Sequence, residues 1–123
     1  MRNLLSALLF VSAFTACKKW ETDAPSVHLS FPVAADTVLL ADSLSLQCNI
    51  SDPNLRHYKV IIYNFYTRRL FYKEEGEATA GTFTLDKKIH FEMLADTTAY
   101  INVLGIDKNG NTGGAGAKFY FRK

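Results

Sequence analysis

Cysteine is scarce in this chain: its 123 residues hold two, Cys17 and Cys48. So sparse a pair is not the dense disulfide framework that staples many small secreted domains. No G-x-S-x-G, H-E-x-x-H or C-x-x-C occurs, so the local signatures of serine hydrolases, zinc proteases and thiol redox enzymes are missing. His28, His57 and His90 fall on separate predicted strands with no partner Cys or close His pair, which argues against zinc. Adjacent carboxylates such as Glu74 and Glu75 would point to opposite faces of a strand and read as a solvated loop. An excess of one charge is also lacking: 14 Lys+Arg stand against 12 Asp+Glu, and Arg2 belongs to the N-terminal segment. A near-neutral balance gives no electrostatic footprint for nucleic acid. No stretch keeps a 3.6-residue period, so no substantial helix is expected. The longest apolar run is too short to cross a bilayer, which takes about 20 residues. No metal or cofactor is implied.

What is present begins at the N-terminus. Arg2 supplies a positive charge, and Leu4 to Phe14 is apolar but for Ser6 and Ser12. A charged start, a short apolar core and small residues make a secretory signal segment over 1–16. Phe14-Thr15-Ala16-Cys17 then resembles the bacterial lipobox, with Phe14 where that motif carries an aliphatic residue. The resemblance implies cleavage before Cys17 and lipid attachment to it. Because each buried CH₂ adds about 0.8 kcal/mol, two or three acyl chains hold a protein on a membrane. Residues 17–25 are polar, aperiodic and end in Pro25, as a tether does. Lys18 and Lys19 followed by Glu21 and Asp23 resemble the start of Bacteroidota lipoproteins displayed on the cell surface, although Trp20 and Thr22 interrupt the acidic pair.

Residues 26–123 read as one domain. Leu44, Leu46, Cys48 and Ile50 alternate with polar residues over Ser43–Ser51, a half-buried strand closed by Asp52-Pro53-Asn54. His57–Tyr66 is β-branched and aromatic on both parities, as in a central strand. Further strands are expected at Val27–Phe31, Arg69–Lys73, Ala99–Ile106 and Lys118–Phe121. Thr82–Met93 makes either one bent strand or two, with Lys87 out of pattern. Gly113–Ala117 lacks the Lys-Ser/Thr of a phosphate loop and reads as a flexible approach to the last strand. About seven short strands with regular turn signals indicate a sandwich or barrel.

Pro25-Ser26-Val27-His28-Leu29, the Cys48 strand with Ile50-Ser51-Asp52, and Val103-Leu104-Gly105-Ile106-Asp107-Lys108-Asn109-Gly110-Asn111 resemble bacterial immunoglobulin-like modules. The resemblance implies an immunoglobulin-like antiparallel β-sandwich of about seven strands. Those modules often carry a Tyr early on the penultimate strand, packed at a corner. Here Ala99 holds the in-phase position and Tyr100 is one residue out, so the strand either bulges or lacks the corner.

The candidates for chemistry have plain structural readings beside them. Cys48, on the inward parity, reads as a buried inert thiol. Asp107, Asn109 and Asn111 alternate like the first ligands of a calcium loop, but Gly110 is fourth where that loop has Gly sixth, and Lys118 stands at the twelfth position where it has Glu, so a hairpin turn is favoured. Asp36-Thr37, Asp42-Ser43 and Asp96-Thr97 resemble Bacteroidota O-glycosylation acceptors, which would place glycans on Thr37, Ser43 and Thr97. The aromatic strands carry the most functional content. Tyr63 and Phe65 share a parity with Ile61, whereas Tyr58 and Tyr66 share one with Val60 and Ile62, and only one parity can face the core. Tyr63, Phe65, Arg68, Arg69 and Tyr72 are therefore the candidate ligand surface, since exposed aromatics beside Arg form interface hot spots and sugar platforms. The expected role is a lipid-anchored, non-catalytic binding or accessory module of the bacterial envelope, recognising a protein or glycan. The alternative is a structural lipoprotein subunit of a larger envelope complex.

Overall fold

A computed structural model describes residues 23–79, 81–92 and 95–123. The expected signal segment over 1–16, Cys17 and the expected tether as far as Thr22 lie outside them. The described chain is strand throughout its regular structure: β1 (Ser26–Phe31), β2 (Thr37–Leu39), β3 (Leu44–Ser51), β4 (Leu55–Asn64), β5 (Leu70–Glu77), β6 (Thr82–Ile89), β7 (Thr97–Asp107) and β8 (Thr112–Arg122). A three-stranded sheet, ordered β1-β3-β6, packs on a five-stranded sheet ordered β2-β8-β7-β4-β5. The result is an immunoglobulin-like β-sandwich.

The period-2 pattern builds the core. Leu44, Leu46, Cys48 and Ile50 of β3 are all buried, and the residues alternating with them are exposed (Ser45, Asn49, Ser51) or half-buried (Gln47). Opposite them stand Val60 and Ile62 of β4, Ala99, Ile101 and Val103 of β7, and Ala117, Phe119 and Phe121 of β8. Tyr58 joins this inner layer, stacked on Phe83 of β6 with centroids 4.2 Å apart. The Val60 and Ile62 parity is therefore the inter-sheet core, and the Ile61 and Tyr63 parity faces out.

Several expectations need correction. The described residues form eight strands, in keeping with about seven; the unexpected one is β2, which runs parallel to β8, pairing Thr37 with Tyr120 and Leu39 with Arg122. Gly113–Ala117 is part of β8, held by an unbroken register with β7 from Thr97↔Phe121 to Ile106↔Thr112. β5 extends to Glu77, so Glu74 and Glu75 lie on a strand and face opposite ways. Residues 82–89 form one strand, β6. Its odd Lys87 points inward because Glu74 of β5 receives it, with Nζ 2.7 Å from Oε1. This ion pair bridges the two sheets where both end in an edge strand. The carboxylate of Glu74, and then Tyr72, hold the Lys87 ammonium above the ordinary lysine range. The corner tyrosine is absent: β7 carries no bulge at this point, Ala99 is fully buried, and Tyr100 pairs with Tyr63 on the outside.

The sandwich has two unlike ends. At one, the chain enters at Pro25, against Gly105 and Gly113. Asp52 and Asp107 cap the turns there, and Lys108 N–H donates to the Asn54 carbonyl, 2.9 Å, tying one turn to the other. At the opposite end lie the β4–β5 loop and the connections around β2. Phe31, Val33, Leu39, Tyr66 and Leu70, the exposed large hydrophobics among the described residues, are all at this far end.

Candidate functional site

The β4–β5 loop organises the far end. The Asn64 carboxamide oxygen accepts from the backbone N–H of Tyr66 (2.9 Å) and Thr67 (3.0 Å), a side-chain turn that Asn supplies readily. Arg68 N–H closes the loop on the Asn64 carbonyl at 2.9 Å. This geometry forces Arg68 to φ +66°, the left-handed region that an L-residue enters at a cost of about 1 kcal/mol or more. Its side chain returns over the sheet: Nη1 donates to the Tyr63 hydroxyl at 3.2 Å, and the guanidinium carbon stands 5.4 Å from the Tyr63 ring centroid.

From there a connected cluster runs across the outer surface of the five-stranded sheet. Lys118, Tyr100, Tyr63 and Leu70 lie in one cross-strand row over β8, β7, β4 and β5. The Tyr63 and Tyr100 rings are 5.6 Å apart, Tyr100 and Phe65 6.4 Å, and Phe65 and Tyr66 5.3 Å. Lys118 Nζ sits 4.4 Å from the Phe65 centroid, and Arg122 lies 5.1 Å from the Tyr120 ring. Tyr66 is 73% exposed and Leu70 52% exposed. Such cation–ring contacts contribute about 0.5–1 kcal/mol each in water, which biases a long side chain toward the ring against a rotamer entropy of about 2 kcal/mol.

The sequence-derived surface is thus partly assembled. Tyr63, Phe65 and Arg68 come together. Arg69 turns to an adjacent open cleft of about 830 Å³, lined with Phe71, His90, Phe91 and Glu92. Tyr72 is a correction: it pairs with Ile62 and shares that residue's inward parity, while Tyr63 pairs with Leu70. The extra residue this leaves on β5, Phe71, is a bulge that re-aims the strand. Tyr72 therefore sits inside, 6.4 Å from the Phe91 ring and under Lys87. Tyr66 is a second correction, because it leaves β4 for the loop and does not share the Tyr58 face. Tyr100 and Lys118 were missed; the signal for Tyr100 was its place one residue out of phase with buried Ala99.

The other candidates are accounted for by local structure. The Asp107 side chain, 4% exposed, accepts from the N–H groups of Asn109 and Asn111 at Oδ1 (2.9 Å each) and from the Asn111 carboxamide at Oδ2 (3.1 Å). Burial pushes its pKa up, but these donors outweigh burial and hold it below the usual carboxylate range. Both oxygens are used to fold the hairpin. Burial pushes the Cys48 thiol above its ordinary range, and the Glu74 carboxylate adds to that. A thiol so held carries little thiolate and little reactivity. Thr37 and Ser43 are exposed, whereas the Thr97 hydroxyl donates to the Ala95 carbonyl at 3.1 Å. Among the described residues no cluster of His, Cys, Asp and Glu gathers around a cation-sized space.

No protein-family model matches this chain, and no curated protein matches it. Among solved structures it is similar to the E. coli chaperone DraB, with a TM-score of 0.53 at 10% identity over 81% of this chain. It spans 56% of that chaperone's length. It is also similar to CopC from Methylosinus trichosporium OB3b (TM-score 0.49, 18% identity, 79% of this chain and 94% of the other). A third structure is a superoxide reductase (neelaredoxin) from Ignicoccus hospitalis (TM-score 0.47, 13% identity, 87% of each chain). At 10% identity the likeness to the chaperone shows a shared fold alone.

Proposed function

We propose that this protein is a lipid-anchored, non-catalytic binding module of the bacterial envelope, held by Cys17 and recognising its partner through the outer aromatic and cationic surface. The observation that carries this reading is the connected cluster of Arg68, Tyr63, Tyr100, Phe65, Tyr66 and Lys118. Its position supports the reading too. The chain enters the domain at Pro25, at the end opposite the β4–β5 loop. A tether attached there points the cluster away from the membrane. Rings and arginine presented on a rigid sheet, with the loop strained to hold one of them, are what a recognition surface requires. No reacting group is needed for this role, and the buried thiol of Cys48 is not positioned to be one.

Membrane fractionation of cells producing the Cys17→Ser chain tests the anchor. The expected result is loss of the protein from the membrane fraction or retention of its signal segment, and continued normal anchoring would overturn the assignment.

A further inference from the structure

Half-exposed apolar side chains continue on the outer surface of the five-stranded sheet beyond the ring cluster, with His57, Lys59, Lys73 and Asn102 beside them. Outward positions on its central strands include Ile61 and Tyr63 of β4 and Tyr100, Leu104 and Ile106 of β7. The edge of this strip is level because β8 contributes glycines: a Cβ on Gly114 would stand 2.8 Å from Leu104 Cδ2, and one on Gly116 would stand 2.7 Å from the Tyr100 ring. Leu104 and Tyr100 lie down over the glycine backbone. Four strands at about 4.8 Å spacing and seven residues at about 3.3 Å give a face of roughly 450 Å², which the apolar side chains share with Lys59, Lys73, Asn102 and Glu75. That approaches the ~600 Å² per partner of a small transient protein interface.

Charge distinguishes the possible occupants. Arg68, Lys118 and Arg122 stand at the far end of this surface, and no outward residue from Ile61 to Phe65 or on neighbouring β7 and β8 positions is acidic. None of the three takes part in a salt bridge among the described residues. We infer that the partner is a protein whose contact surface is an apolar strip ending in carboxylates. The inference rests on the binding-module reading and names its partner class. A glycan fits less well, because Arg68 and Lys118 already stand over the Tyr63 and Phe65 rings, where a sugar would stack. Ile61, Leu104 and Ile106 offer sugar hydroxyls no hydrogen bond. A second copy fits less well too. Among the described residues its acids on this surface are Glu75 and Glu77, and Glu75 already lies opposite Lys59 and 3.6 Å from Lys73.

Defined polymers test this on the full chain in non-ionic detergent, with affinity read by titration and folding by thermal unfolding. A random copolymer of glutamate and tyrosine should bind about tenfold or more tightly than polyglutamate, and polygalacturonate no better than polyglutamate. Leu104→Ser should reduce copolymer affinity, and Arg68→Glu with Lys118→Glu should reduce it about tenfold and flatten its salt dependence. Arg68→Gly provides a second cation-deleting variant where the double one unfolds. Polygalacturonate binding as tightly as the copolymer would reassign the partner to an acidic glycan. Concentration-dependent dimerisation abolished by Leu104→Ser would reassign it to a second copy. A folded chain that binds none of the probes overturns the inference as well. The anchor has its own test in fractionation of Cys17→Ser, so either claim can fail alone.

Discussion

The two outer faces of this sandwich follow the same alternation and end in opposite chemistry. On the three-stranded sheet the outward positions are Ser45, Gln47, Asn49 and Ser51 of β3 and Thr82, Thr84, Asp86 and Lys88 of β6, with Thr84 donating to Asn49 across the strands at 2.9 Å. This is the arrangement of an antiparallel sheet that faces water on one side. On the five-stranded sheet the equivalent positions of β4 and β7 hold Ile61, Tyr63, Tyr100, Leu104 and Ile106, with polar His57, Lys59 and Asn102 among them. Folding needs only one apolar face per sheet, and the first sheet proves it within the same molecule. The apolar character of the second outer face is thus surplus to the monomer's core. The largest expected effect separates core from surplus on a single strand. Ile101→Ala, facing in, should cost about 3 kcal/mol in chemical denaturation. Leu104→Ser, three residues on and facing out, should cost less than about 1 kcal/mol. Equal losses would mean that the outer strip belongs to the monomer's own core, and the contrast between the faces would collapse.

A smaller effect is expected where the inner faces break their own rule. Lys87 and Glu74 bring a charge pair to the edge shared by β6 and β5, and Glu74 Oε2 is buried with no hydrogen-bond partner. Lys87→Met leaves that carboxylate uncompensated. With side chains 35% and 24% exposed, the loss is set at about 1–2 kcal/mol, below that of a fully buried pair. The double variant with Glu74→Gln should recover part of it in a mutant cycle. The sign of the pH dependence follows from Lys87, whose affinity for its proton rises on folding. The pair's contribution is complete below the ordinary lysine range and is lost only as pH climbs through the raised value. A Lys87→Met chain as stable as the parent would show that the edge is held by Tyr72 and Phe91 packing alone.

Much of the sandwich was legible because burial is written at period 2. Leu44 to Ile50 declared both their strand and their face, and Ala99 against Tyr100 already indicated which way β7 turns. Three things were hidden for physical reasons. The short β2 contributes one partly buried residue, Val38, between exposed Thr37 and Leu39, too little for any periodicity. The glycines of β8 look like a flexible segment because their strand is specified by neighbours, Tyr100 and Leu104, that require the missing side chains. Tyr72 turns inward against simple alternation from Leu70 because a bulge at Phe71 reverses parity, and a single inserted residue leaves no mark in composition. The candidate surface was half legible: Tyr63, Phe65 and Arg68 lie close in sequence, whereas Tyr100 and Lys118 reach them only through strand order.

The finest test of the contrast lies in one backbone angle. Arg68 holds φ +66°, where glycine would sit without strain. Replacing it by glycine removes about 1 kcal/mol of backbone cost. The same change forfeits the cation–ring contact with Tyr63 and the exposed Nη1 hydrogen bond to its hydroxyl, about 1 kcal/mol together on a surface where both are weak. Arg68→Gly should therefore match the parent's stability to within about 0.5 kcal/mol, or exceed it. Arg68→Ala keeps the strained backbone and loses the same contacts, so it should be the less stable of the two in urea titration. Both should weaken copolymer binding alike, because both remove the cation. If glycine proves as destabilising as alanine, the left-handed turn is not a strain carried for the side chain. Arg68 would then be an ordinary loop residue, and the apolar strip would have to account for recognition without it.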